Sequence, residues 1–320
     1  MRQLAPMLAT ALALGSGAGA EPFLSLPIDC RLGEDCHIQQ FVDRDPGPGA
    51  TDFRCGPLSY DGHRGTDFAL PTRADLTPGV AVLAAAPGRV LATRDGMADI
   101  LQAGPDAPDV TGRECGNGVV IDHGDGWQTH YCHLARGSIT VDDGDVVITG
   151  QQIGMVGLSG KTQFPHLHLT VRQDGQVVDP FAPSDAVGCQ PDPAESLWIS
   201  PPEYQPGALI DAGFAASVPE YDAIKAGLPD IELAPGTPLV LWGYLFGGQA
   251  GDVLRITADG PNGPAFSHDV TLERTQAQLF RAFGLRAPAG GWPSGAYHGS
   301  LTLIRNGEVI DATETVARID

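Results

Sequence analysis

The sequence predicts a mainly β protein in two parts: an antiparallel-sheet domain with an open groove, then an immunoglobulin-like β-sandwich. Three observations point there. Gly and Pro account for 42 and 27 of 320 residues while only 18% are charged, a balance that favours strands and turns. Short apolar or alternating runs recur along the chain, divided by Gly, Pro and Asn. The texture then changes after a Pro-rich stretch ending near residue 230. At this length, with 42% hydrophobic residues, two domains can each hold a core.

The N-terminus comes first. An apolar run over 4–14 follows Arg2 and gives way to small residues ending in Ala18-Gly19-Ala20 before Glu21. That is the layout of a signal peptide over 1–20 with an A-x-A cleavage site. Its apolar run is shorter than the roughly 20 residues that span a bilayer, and no later segment approaches that length. No Cys follows the cleavage site to take a lipid. The mature protein is expected to be soluble and exported, periplasmic or extracellular, without stable membrane insertion.

Residues 21–54 read as a Cys-containing lead-in with Asp45-Pro46-Gly47-Pro48-Gly49 as a loop. The first domain, 55–188, carries strand-like runs at 80–85, 89–92, 119–122, 128–134, 151–157 and 167–172. These are short and Gly-divided, as in an antiparallel sheet whose groove is walled by the loop around 97–113; an extended peptide suits such a groove because it can hydrogen-bond along a sheet edge. A linker over 189–230 is predicted to hold one helix, with Ser217 as N-cap, Pro219 in the first turn, Glu220 completing an S-x-x-E capping box and Gly227 ending it. From 231 to 320, runs at 239–245, 253–258, 265–272, 278–285, 297–305 and 309–316 form the sandwich. This module clusters no His, Cys or acidic residues, and His268 and His298 are isolated. It is read as a binding or positioning unit, whose partner is a glycan, a cell-wall or divisome protein, or the first domain itself.

The chemistry lies in the first domain. His166-Leu167-His168 sits among Phe164, Leu169 and Val171 with the alternation of a strand, so both imidazoles leave the same face. His63 and Asp67 flank Arg64-Gly65-Thr66 and would share a face in an extended segment. Two imidazoles and a carboxylate suffice for a divalent metal with one position left for water, and a further imidazole remains for proton transfer; this is the arrangement of hydrolytic zinc centres, whereas structural zinc sites fill all four positions. Either fragment alone is a common accident of sequence. Their company is less so: Tyr131-Cys132-His133-Leu134 lies between them, and Gly157-Leu158-Ser159-Gly160-Lys161-Thr162-Gln163-Phe164-Pro165 leads into the second.

Taken in order, these motifs resemble the lysostaphin-type, or LytM, zinc endopeptidases, which cleave peptides of bacterial peptidoglycan. The resemblance covers roughly residues 55–183. It implies that His63, Asp67 and His168 hold Zn2+, that His133 and His166 are the catalytic imidazoles, and that the substrate is a peptidoglycan stem peptide or cross-link. One of the two imidazoles would take the proton of the attacking water and pass it to the leaving amine, the other would face the oxyanion, and the two roles stay unassigned. Some relatives have lost ligands and act as regulators of other wall hydrolases; a non-catalytic regulator that keeps its zinc is therefore the alternative, although no ligand is missing here. Departures from the pattern are Cys132, His130 and an insertion over 93–114. His130 and His123 are assigned structural or solvated roles, since the ligand set is complete without them.

Six cysteines suit an oxidising compartment, and an even number can pair fully. A hairpin of strand 118–122, turn His123-Gly124-Asp125-Gly126 and strand 127–133 brings Cys115 and Cys132 nearly opposite, so this pair is expected to bridge and to stiffen the surroundings of His133. Cys132 as a fourth zinc ligand would instead close the site. Cys30, Cys36, Cys55 and Cys189 allow three pairings, among which the sequence does not choose. The net charge of -20 excludes nucleic acid as a ligand and disfavours electrostatic docking on anionic lipid or wall polymers. Acidity of this kind keeps an exported protein dissolved.

Overall fold

The computed structural model describes residues 23–103, 107–184, 189, 191–229 and 231–320. The expected signal peptide over 1–20 lies outside them. No described helix is long and apolar enough to cross a membrane.

The first domain is built on strands β1 (His37–Gln40), β2 (Thr66–Ala69), β3 (Ala81–Leu83), β4 (Gly88–Arg94), β5 (Asn117–Gly124), β6 (Trp127–Leu134), β7 (Val146–Val147), β8 (Gln152–Met155), β9 (His166–Gln173) and β10 (Gln176–Val178). Eight of them form one antiparallel sheet in the order β1-β2-β9-β6-β5-β4-β7, with β10 on the end of β9; β3 and β8 pair separately. Alternation along each strand divides the faces. Phe68, Leu167, Leu169, Val171, Tyr131, Val119, Ile121 and Val90 point into one apolar cluster, leaving the opposite face for polar groups.

The 21–54 stretch is not a separate lead-in. Leu24, Ile28, Ile38, Phe41 and Phe53 are buried in the same cluster as the sheet, β1 pairs with β2, and Leu24 bridges Trp198. Apolar residues every few positions in this segment are what the core recruits. The loop behind it is fixed by Asp52, whose buried carboxylate accepts from the backbone N–H of Arg54, Gly56 and Leu58 and from the Tyr204 hydroxyl. Phe41, Phe53, Phe181 and Tyr204 pack around it at ring separations of 4.9–5.5 Å.

Disulfides join Cys30 to Cys36, Cys55 to Cys189 and Cys115 to Cys132. The last is the pair expected from the hairpin; the other two select one of the three open connectivities. Cys132 is thereby unavailable to a metal.

The second module comprises β11 (Ala208–Ala215), α1 (Tyr221–Ala226), β12 (Leu239–Gly248), β13 (Val253–Gly260), β14 (Gly263–Thr271), β15 (Gln276–Leu285), β16 (Gly295–Arg305) and β17 (Glu308–Ile319). Sheets β11-β12-β15 and β14-β13-β16-β17 enclose a core of Leu239, Leu241, Leu245, Leu254, Ile256, Leu279, Leu301 and Leu303. This is the expected sandwich, entered earlier than expected, because 208–215 pairs along β12 instead of serving as linker. Its fourth strand, β14, joins the larger sheet, unlike the constant-type immunoglobulin layout.

The helix also starts later than the capping-box pattern places it. Glu220 is extended and occupies the N-cap position without a side-chain cap, its carbonyl accepting from Ala223 and Ile224, while Gly227 ends the helix at φ 93°. The proline explains the start: Pro219 disfavours helical geometry at Val218, so Ser217 cannot open the turn. Ile224 then packs on Trp242 and Tyr244, covering the outer face of β12.

The two units meet along β1, the edge of the large sheet. Gln39 Nε2 donates to the Ala277 carbonyl at 2.9 Å, Gln278 Nε2 donates to Gln39 Oε1 at 3.0 Å, and the His37 ring stacks on Phe246 at 4.5 Å. Burial holds His37 neutral, lowering its pKa to about 4 against the opposing effect of the hydrogen bond that its Nε2 makes to Gln39 Oε1. At the junction, Arg305 binds both oxygens of Asp252 and also donates to the carbonyls of Pro206 and Gly247.

Two outcomes test this packing. Arg305→Met leaves the Asp252 carboxylate buried without its cation, so denaturant unfolding should show a loss of about 3–5 kcal/mol. Replacing both Cys115 and Cys132 by Ala opens a loop with a sequence separation of 17 and should lower stability by about 3 kcal/mol under non-reducing conditions.

Candidate metal centre

The register of β2 on β9 sets Asp67 directly across from His168, with both side chains on the polar face. His63 arrives from the preceding turn, where its N–H bonds the Tyr60 carbonyl and its own carbonyl accepts from Asp43. Gly65 makes the approach feasible: a Cβ there would stand 2.5 Å from His168 Nε2 and 2.6 Å from the Leu169 carbonyl oxygen. The three residues expected to share a cation are thus brought together, and the geometry does not require the segment before β2 to be a strand.

Their polar atoms converge. His63 Nε2 lies 3.2 Å from Asp67 Oδ1 and 3.3 Å from His168 Nδ1, and the remaining edge, His168 Nδ1 to Asp67 Oδ1, is 2.7 Å. Ligands about 2.0–2.1 Å from a tetrahedral zinc are about 3.3 Å apart. Two edges match that spacing, and the short third is a direct imidazole–carboxylate hydrogen bond that a cation would replace. Protonation agrees as well. His63 Nδ1 lies 2.7 Å from the Phe41 carbonyl, which only accepts, so Nδ1 carries the proton and Nε2 presents a lone pair. His168 Nε2 faces the Thr170 hydroxyl at 3.0 Å, a partner able to accept, which frees Nδ1 to give up its proton. These residues fit a divalent cation.

His133 and His166 flank this triangle, their ring centres 4.6 Å apart, with His166 Nε2 3.6 Å from Asp67 Oδ1. Each is oriented from behind: His133 Nδ1 donates to the Ser159 carbonyl at 2.8 Å and His166 Nδ1 to that of Phe164 at 3.0 Å. His133, His166 and His168 make a second group close enough to chelate. The first group has the stronger claim on a dication, because it alone includes a carboxylate.

Plain alternation would have sent His133 inward beside Tyr131. Instead Cys132 and His133 together stand opposite Gly118, between the Asn117–Leu134 and Val119–Tyr131 pairs, and His133 adopts φ 65°. This β-bulge turns its imidazole towards His168. Left-handed geometry at a non-Gly residue costs about 1–3 kcal/mol, here offset by backbone bonds from His133 to Cys115 and from Gly157 to His133, beside the Cys115–Cys132 bridge.

Charge coupling is tight. Burial opposes ionisation of Asp67, but the surrounding histidines outweigh it and hold its pKa well below the carboxylate norm. Burial likewise works against a charged His63, yet Asp67 raises its pKa overall. His133 is driven well below the usual imidazole value by burial and then by His166 and His168; His166 is lowered by burial, with Asp67 opposing. Both are neutral imidazoles at pH 7.

Supporting residues escape a sequence reading because they act through backbone carbonyls or single hydroxyls. Asn117 and Ser159 tie the Gly157–Thr162 turn to β6 through the Leu134 carbonyl, and Tyr60 lies 4.5 Å from the His63 ring. Asp99 and Gln102 lie beside this turn: Asp99 accepts from Leu158 and Arg136, and the Gln102 backbone N–H donates to the Thr162 carbonyl. His123 is structural, bonded to Pro87 and Thr129. His130 shares the polar face of the sheet but joins neither chelating group.

Residues 61–180 match the model for peptidase family M23. Over 117 residues the chain is 36% identical to the peptidoglycan DD-endopeptidase ShyA of Vibrio cholerae, covering 37% of this chain and 22% of that protein. Over 116 residues it is 42% identical to the DD-carboxypeptidase/endopeptidase Mpg of Neisseria meningitidis, covering 36% and 23%. A solved zinc-containing peptidase from Vibrio cholerae is similar at 27% identity and a TM-score of 0.34, over 50% of this chain and 39% of that one. The chain thus spans less than a quarter of the length of these curated relatives. Residues 61–180 of this chain form a peptidase family M23 domain.

Proposed function

We propose that the protein is an exported zinc-dependent endopeptidase that hydrolyses peptide bonds in peptidoglycan stem peptides or cross-links. The observation that carries this reading is the convergence of His63 Nε2, Asp67 Oδ1 and His168 Nδ1 beside two further imidazoles, all within an M23 domain. His63, Asp67 and His168 would hold the zinc. When bound there, zinc would polarise the scissile carbonyl and lower the pKa of a water to about 7.

The chain's own contribution is proton handling. With Nδ1 fixed on carbonyls, His133 and His166 each present Nε2 as an acceptor. Charges on two buried rings this close repel, so the pair carries at most one proton beyond its two Nδ1 protons, that is, a single positive charge. One ring takes the proton of the attacking water and returns it to the leaving amine; the ring that is protonated at a given step can donate to the tetrahedral oxyanion. Substrate class is supported by the peptidoglycan enzymes to which the domain is similar. Three disulfides and the N-terminal segment support export to an oxidising space.

Purified wall material digested by the protein, analysed by mass spectrometry, should yield new amino termini in stem peptides or cross-links, abolished by chelator and restored by zinc. His166→Ala should keep its zinc yet lower kcat by about 10²–10⁴-fold; full activity in that variant would sink the assignment. His63→Ala and Asp67→Ala should instead lose stoichiometric zinc, as measured by elemental analysis.

Zinc affinity should fall with acidity. Asp67 raises the pKa of His63, so its protonated form, which cannot bind metal, competes from above the ordinary imidazole value of about 6.5. Competition with a chromophoric chelator should show affinity lost progressively as pH falls through that region, and a flat profile from about pH 8 to 6 would contradict it.

A further inference from the structure

Helix α1 is completed by residues outside its own module. A helix of six residues leaves most of its carbonyls without an intrahelical donor, and the first domain supplies two: the Arg73 backbone N–H donates to the Lys225 carbonyl and Arg73 Nη2 to that of Asp222, each at 3.0 Å. Contact is close where the helix ends, since a Cβ on Gly227 would stand 2.7 Å from Ala74 Cβ and 2.8 Å from Thr72 Oγ1. The 72–74 segment follows β2, the strand that carries Asp67. Tyr244 completes the junction. One face of β12 carries Trp242, Tyr244 and Phe246; α1 covers the first, Phe246 belongs to the core of the first domain, and buried Tyr244 stands between, its hydroxyl paired with that of Tyr221 on α1.

A space of about 10 Å³, room for at most one water molecule, is bounded by Tyr244 and Lys225 of the second module, Pro71 and Arg73 after β2, and Phe164 and Pro165 before β9. That last pair holds His166. The Phe164 carbonyl accepts from His166 Nδ1 at 3.0 Å, the Phe164 ring stacks on the imidazole at 4.4 Å and 24°, and the Pro165 carbonyl accepts from the Leu70 N–H at 3.0 Å. One residue thus grips His166 by its edge and by a face, and the same residue packs against the sandwich module. His133 differs: it takes its orientation from Ser159, in a turn tied to β6 within the first domain.

We propose that Tyr244 is a positioning residue for His166, acting through Phe164, so that this imidazole is set jointly by the two modules. The inference rests on the endopeptidase reading for the role of His166 and names a residue outside the M23 domain on which the chemistry depends. Close-packed side chains with no room to relax pass a displacement on to their neighbours, and a misplacement of about 1 Å caused far from the reacting atoms can cost about 10²-fold in rate.

The test uses the full chain loaded with zinc and isotope-labelled histidine, whose ring signals are assigned by NMR from single His→Ala variants. Tyr244→Leu keeps the junction apolar but withdraws the ring from the turn; Tyr244→Met, which conserves more volume, takes its place if that variant does not fold. The substitution should shift the His166 signal and leave that of His133 in place. On cross-linked wall peptides it should lower kcat by about tenfold or more with KM and zinc content unchanged. Tyr244→Phe retains the ring and should match the parent in both readouts. Ile256→Ala opens a cavity in the sandwich core away from the junction and should lower stability without moving the His166 signal or kcat. An unmoved His166 signal in Tyr244→Leu, or the same shift in Ile256→Ala, would overturn the proposal. A wild-type protein that cleaves no wall peptide, while Tyr244→Leu alone shifts His166, would overturn the endopeptidase reading and support the positioning contact.

Discussion

Everything at the candidate metal centre depends on one antiparallel register, that of β2 against β9. It sets Asp67 across from His168, and because side chains alternate, a slip of one residue would send both donors into the apolar core. The core defends the register. Phe68, Leu167 and Leu169 occupy the buried face of the same strands, so each donor is held outward by an apolar neighbour held inward. Function and stability therefore impose the same constraint on these few residues.

Around that register, the imidazoles are aimed by acceptors. Phe41, Ser159 and Phe164 offer carbonyls, and Thr170 a hydroxyl, to the ring nitrogen that faces away from the centre. Such partners fix ring orientation and tautomer together. Displacing any of these acceptors would rotate the ring it holds.

Much of the site is legible in the sequence, since His166-Leu167-His168 declares its face by spacing alone and the Cys115–Cys132 bridge follows from hairpin geometry, whereas His63 reaches Asp67 from a turn and not from the extended segment that its spacing suggested. What stays hidden depends on backbone irregularity or on distant partners. The bulge at His133 has no local periodic signal, although Gly118 opposite it is a small residue where two chains crowd. The lead-in conceals core residues because its apolar positions are separated by turns. β11 lies within a Pro-rich stretch, and its strand character emerges only against β12. The capping-box pattern misplaces the helix start because the restriction that Pro219 puts on Val218 outweighs it.

The contacts through Gln39, His37 and Arg305 give the sandwich a fixed attitude towards the sheet. A module on a loose tether raises the local concentration of whatever it binds, by an amount set by linker length. Here that arithmetic would not apply: a ligand held by the sandwich would be presented to the polar face of the large sheet from one direction only. Recognition by this module would act as a gauge of distance and angle, selecting among targets by their shape relative to the cleft.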